Sequence, residues 1–190
     1  MIAFALACGD STADPAGTTT TASTGAESTS TSSGSSTAVA DTSTGSFASE
    51  VPGSQTIPPG LDLAFPDTYA AIEANEFRGD FIAVMTDFRS AAPAADFIAQ
   101  ANRIGLRTAL LALPEGTETS ALFADLRRSD HASFWDEGYR GTVLLTDSAN
   151  FRNEHYHCEM GPDEIADLDH DFAVGVARVT AGAAASTAGM

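Results

Sequence analysis

A boundary near residue 53 limits what this chain can fold into. From Gly9 to about Gly53 the sequence is dominated by Thr, Ser, Ala and Gly, with five acidic residues (Asp10, Asp14, Glu27, Asp41, Glu50) and no basic one. Such a stretch has too little apolar surface to offset the entropy lost on ordering it, so residues 9–52 are expected to form a disordered, solvated tether. Only residues 53–190 can then build a core, which sets the limit at one domain of modest size.

Within that domain the apolar pattern alternates between strand and helix. Pro58-Pro59-Gly60 opens the globular part. Pro66 to Glu76 reads as a first helix with Pro66 in its opening turn, and Phe81 to Met85 as a buried strand. Ser90 and Pro93 signal a second helix, with Phe97, Ile98, Ala101 and Ile104 on one face and Gly105 as its stop. Thr108 to Leu113 forms the next strand, ended by Pro114. Strand, helix and strand in this order predict a right-handed βαβ unit with parallel strands. Thr119 to Arg128 reads as a helix with Leu122, Phe123 and Leu126 inward. Gly141 to Thr146 has the β-branched and aliphatic character of a buried strand in a parallel sheet. Ile165, Leu168, Phe172, Val176, Val179 and Ala183 then predict a long amphipathic helix from about Asp163. The fold class is α/β, with a thin sheet of three strands.

Polar clusters flank the Gly141–Thr146 strand, and three of the four histidines lie in them. The first cluster contains Ser129-Asp130-His131-x-x-Phe134. The second runs Thr146-Asp147-x-Ala149-x-Phe151-Arg152-Asn153, then Tyr156-His157. In open α/β sheets a ligand site forms in the crevice beyond the carboxyl ends of the strands, so chemistry is expected from Asp147 onward. His157 is either a metal-ligating imidazole or a loop side chain bonded to a backbone carbonyl. Asp130 either faces a substrate or caps the short helix expected from Ser133.

In this order and approximate spacing these segments resemble the C-terminal half of the zinc-dependent bacterial aminopeptidases, whose distant relatives include glutaminyl cyclases. The likeness extends upstream through Gly53-Ser54-Gln55, Pro58-Pro59-Gly60-Leu61 and Asn75 to Ala83. It implies a three-layer α/β/α zinc-exopeptidase-like fold, represented by its C-terminal half, and an ancestral activity of peptide hydrolysis. It also implies that His157 matches the last zinc ligand, and that Asp130, His131, Phe151 and Tyr156 belong to a substrate pocket with Arg152 beside them. The family draws most of its zinc ligands from an N-terminal half carrying His-x-Asp, a bridging Asp and a Glu-Glu pair. Here no histidine precedes His131 and no Glu-Glu pair exists. The expectation is therefore a peptidase-like protein, inactive or truncated, with a vestigial His157 and no bound zinc. The alternative is a surface module that binds peptide N-termini or an envelope partner. After Tyr156-His157 the family has a short spacer to Asp-Thr, whereas this chain continues Cys158 to Glu164 without the threonine, implying a relaxed site.

Charge narrows the partners. The formal net charge is −17, from 26 acidic and 9 basic residues, and every basic residue is arginine. Nucleic acid is excluded as a partner, because phosphate binding needs clustered cations. An anionic membrane surface would repel the chain as well. Ala5-Leu6-Ala7-Cys8, closing an apolar N-terminal run, is similar to a bacterial lipobox, which implies export, lipidation of Cys8 and membrane contact through that anchor only. The competing reading is a chance apolar N-terminus on a cytosolic protein. A bridge from Cys8 to Cys158 would tether a tail rather than close a core, so both cysteines are read as unpaired.

Overall fold

The computed structural model describes residues 2–3, 51–162 and 169–189. The chain divides into two units, residues 1–8 with 45–190 and residues 9–44, and every described residue belongs to the first. The expected tether, Cys8, and the expected start of the last helix at 163–168 lie outside the described residues.

Two short helices follow the Pro-Pro-Gly turn. Gly60 sits at φ +84°, a left-handed conformation natural to glycine, and leads into α1 (Leu61–Ala64). Pro66 occupies the first turn of α2 (Pro66–Ala74), where its missing N–H costs no intrahelical bond. The sheet has the spatial order β1 (Ile2–Ala3), β4 (Val143–Thr146), β2 (Phe81–Asp87), β3 (Arg107–Leu113). Strands β2 and β3 are parallel, joined by α3 (Ala91–Arg103), as the βαβ pattern predicts. Gly105, at φ +73°, ends α3 and turns the chain into β3.

Period-two alternation assigns the strand side chains to two apolar cores. Ile82, Val84, Val143 and Leu145 meet Ala94, Phe97 and Ala101 of α3 and Val176, Val179 and Ala183 of α5 (His170–Thr187). Phe81, Ala83, Met85, Ala109, Leu111 and Leu144 face the opposite side, toward Leu61, Ile72, Phe123, Leu126 and Trp135. The domain is thus mixed α/β, with helices packed against a small sheet.

Strand β4 departs from the expected parallel arrangement. It runs antiparallel to β2, with Val143 opposite Thr86 and Thr146 opposite Ala83. The segment between β3 and β4 is the cause. A 3-10 stretch (Ala121–Arg127) and α4 (His131–Asp136) bring the chain back to the end of the sheet it has just left. There the Ser90 hydroxyl accepts the N–H groups of Gly141 and Thr142, tying the start of β4 to the exit of β2. The loop after Thr146 therefore lies at the amino end of β2, not in a crevice shared by three carboxyl ends.

Candidate functional site

A cavity of about 290 Å³ lies on the sheet face covered by α1, α2 and the 3-10 stretch. Its floor is the alternating set Phe81, Ala83, Met85, Ala109, Leu111 and Leu144, which the pleat of three strands turns to one side. Ile57, Leu61, Ile72 and Leu126 complete an apolar interior. Two sequence clusters that β4 separates supply much of the remaining lining: Asp125, Arg128, Ser129 and Asp130 on one wall, Ser148, Ala149, Phe151, Tyr156 and His157 on the other, with Gln55, Thr68 and Thr146 adding polar groups.

Arg128 spans the walls. Its guanidinium donates to Asn150 Oδ1 at 2.7 Å, stands 3.8 Å from Asp125 Oδ1, and lies 6.0 Å from the centre of the Tyr156 ring. Its partners account for its charge in part, while Asp130 adds a further carboxylate. Leaving aside the His157 imidazole, the charged lining groups are two carboxylates and one guanidinium, so the rim favours a cation.

The second wall is held by Gln55, which is 4% exposed. Its Oε1 accepts from Ser148 Oγ at 2.8 Å and from Arg152 Nε and Nη2 at 3.2 and 3.1 Å. Its Nε2 donates to Phe151 O at 3.3 Å and to Thr56 O at 2.7 Å. Arg152 also donates to Phe81 O at 2.9 Å, with its guanidinium carbon 4.8 Å from the centre of the Phe81 ring. A Cβ at Gly79 would stand 2.7 Å from Arg152 Nε, so a larger residue there would displace this side chain from its present course. The resemblance takes in Gly53-Ser54-Gln55 but implies no role for it. Nothing in hydrophobic periodicity marks a lone glutamine that closes a contact with residues almost a hundred positions away.

The structure brings together Asp130, Phe151, Tyr156 and His157 of the residues singled out by sequence, and moves His131 elsewhere. Asp130 does not cap α4. Its backbone is already helical (φ −55°, ψ −27°) and its side chain makes no capping bond, while the helix starts at His131 rather than Ser133. His131 is 0% exposed and absent from the cavity wall, which corrects its expected place in the pocket. Its Nε2 bonds to Leu126 O at 2.7 Å, its ring meets Trp135 edge-on at 4.4 Å, and its Nδ1 has no partner among the described residues. Burial pushes its pKa below the ordinary value, so the imidazole is neutral. Successive residues at the start of a helix point about 100° apart, so Asp130 reaches the cavity and His131 the core.

His157 stands exposed at the rim, in left-handed backbone (φ +57°), with its ring 4.1 Å from that of Tyr156. Among the described residues no three His, Cys, Asp or Glu side chains gather in a group that could hold a metal ion. One imidazole cannot hold zinc, which takes three or four protein ligands, so this donor set does not fit the metal by itself. An apolar interior with carboxylates beside it has room for a small apolar group with a cationic neighbour. Comparison with protein-family models, curated proteins and solved structures finds no match for the chain.

Proposed function

We propose that this chain is an aminopeptidase-like binding module, derived from the three-layer zinc-exopeptidase fold and held at a cell surface through Cys8, that captures the N-terminal residue of a peptide. The supporting observation is the cavity: an apolar interior with Asp125 and Asp130 at its rim suits an apolar side chain whose α-ammonium rests beside carboxylates. Its volume of about 290 Å³ sits near the lower end of ligand pockets, ~300–1,000 Å³, which fits one residue rather than an extended peptide. Phe151 and Tyr156 wall the entrance. Catalysis is not assigned to it, because His157 is the one residue of this sequence that matches the family's zinc ligands.

Calorimetric titration tests this reading. Leucinamide should bind, N-acetyl-leucinamide and glycinamide more weakly, the first lacking the ammonium and the second the side chain. Asp130→Asn should weaken leucinamide by about fivefold, the worth of an exposed ion pair near 1 kcal/mol. Equal affinity for acetylated and free amide would sink the proposal. Stoichiometric zinc together with turnover of a leucine anilide, lost in His157→Ala, would replace binding by hydrolysis.

A further inference from the structure

The backbone of residues 53–56 is moored on one side to the corner that follows α2. Gly53 N donates to Glu76 O at 2.8 Å, Gln55 N to Phe77 O at 2.9 Å, and Gly79 N to Ser54 Oγ at 2.9 Å. On the other side Thr56 N and Oγ1 both donate to Phe151 O at 2.7 Å. The Gln55 carboxamide crosses between these anchorages. Its orientation is fixed by chemistry, since a guanidinium only donates and a peptide carbonyl only accepts: Oε1 must face Arg152 and Nε2 must face Phe151 O. The position calls for an acceptor and a donor at the end of one buried side chain of this length, which a carboxamide supplies and an ionised carboxylate or a thioether does not.

The segment that Gln55 grips is held in an unfavourable backbone. Ser148 and Ala149 lie at φ +76° and +53°, where side chains other than glycine are rarely found, and both line the cavity. Conformations of this kind persist where surrounding contacts impose them. The Ser148 hydroxyl lies within hydrogen-bond distance of two acceptors, Gln55 Oε1 and Asp147 O, while Ser148 N donates to Thr146 Oγ1 at 3.1 Å and Ala149 N to Asp147 Oδ1 at 3.1 Å. The contacts with Thr146 and Asp147 come from within the loop itself. Gln55 and its neighbour Thr56 bring in the distant part of the chain.

We propose that Gln55 is the positioning residue of the cavity, holding residues 148–152 in the conformation that forms one wall. The effect on ligand affinity rests on the binding reading above; the effect on the wall does not. The same contacts make the entry of the domain, just beyond the predicted tether, part of the site.

Amide hydrogen exchange on the full chain tests this, read beside leucinamide titration, for Gln55→Met and Gln55→Glu. Gln55→Met keeps length and apolar bulk but neither accepts from Arg152 nor donates to Phe151. Exchange at Phe151, Arg152 and Asn153 should quicken more than tenfold, while β2 and β3 amides stay within twofold of wild type. Leucinamide affinity should fall at least fivefold. Gln55→Glu keeps the acceptor for Ser148 and Arg152, and should recover at least half of the lost protection on a logarithmic scale. Unchanged exchange at 151–153 in Gln55→Met would overturn the proposal. So would equal acceleration in β2 and β3, which would make the residue a contributor to global stability only. If Gln55→Met fails to fold, the decision passes to Gln55→Glu, which loses the donor to Phe151 O: acceleration at 151–153 exceeding that in β2 and β3 would support the proposal, and equal acceleration throughout, or none at 151–153, would overturn it. A wild-type chain that ignores leucinamide would remove the binding reading and leave exchange to decide on Gln55.

Discussion

His131 shows what a motif can and cannot locate. The resemblance implies a place beside Asp130 in a pocket, yet the helix turns it into the core against Trp135, where its Nδ1 lacks a partner among the described residues. The difference is one of direction, and direction depends on where α4 begins, which spacing alone does not fix. Asp130, Phe151, Tyr156 and His157 do line one cavity, and their role toward a ligand is a proposal. The buried imidazole has a consequence for stability. Desolvation lowers its pKa in the folded chain below that in the unfolded chain, near 6.5. Above that pH both states are neutral and no penalty exists. As pH falls below it the unfolded chain takes up a proton that the folded one refuses, so His131 costs stability on the acid side, by at most about 1.4 kcal/mol per pH unit. Urea titrations at pH 7.5 and 5.5 should show this loss in the wild type and a smaller one in His131→Phe. An identical pH dependence in both would show that the imidazole is not the titrating group.

At the scale of elements, strands and helices were legible from their periods, and their directions and ends were not. The strands of the βαβ unit were read to within a residue or two, because continuous apolar runs bounded by Gly and Pro leave little choice. The segment expected as a helix over 119–128 is instead a 3-10 stretch. With three residues per turn, Phe123 and Leu126 share the inner side, while Leu122 points out and is 56% exposed. Ile104, expected inward, is 42% exposed, since α3 ends at Arg103 and the chain is already turning. The reversal of β4 was invisible, because an apolar run has no direction. It is fixed by where Ser90 receives the chain. Ser90→Ala would strand the buried Thr142 N–H and the Gly141 N–H beside it. A destabilisation of about 1–3 kcal/mol is expected, with faster exchange at those two amides before any change in β3. Exchange quickening first in β3 would mean that the β2–β4 junction is not held as described.

For the whole molecule, charge and layering act together. The described helices and strands bury two apolar layers across one small sheet, and Thr68 Oγ1 covers part of the β3 edge by donating to Leu110 O at 2.7 Å. Residues 53–190 hold 21 of the 26 acidic residues and all nine basic ones, a net charge of −12 that works against compaction, since like charges repel across so small a body. Screening relieves this repulsion, so raising NaCl from 0.05 to 0.5 M should raise the melting temperature by roughly 4 °C, the equivalent of about 1 kcal/mol. A fall with salt would show that the few arginine ion pairs, such as Arg127 with Asp136, outweigh the repulsion. The overall α/β class was legible from alternating elements, whereas the cavity was not, because it arises only when β2, β3 and β4 turn alternate residues to one face. That cavity carries the functional account. Its most direct test is an NMR titration of the labelled chain with leucinamide, following every backbone amide. The account predicts saturable shifts confined to Ser129–His131, Ser148–Phe151 and Tyr156–His157, much reduced in Asp130→Asn. Shifts elsewhere on the molecule, or none at millimolar ligand, would contradict it.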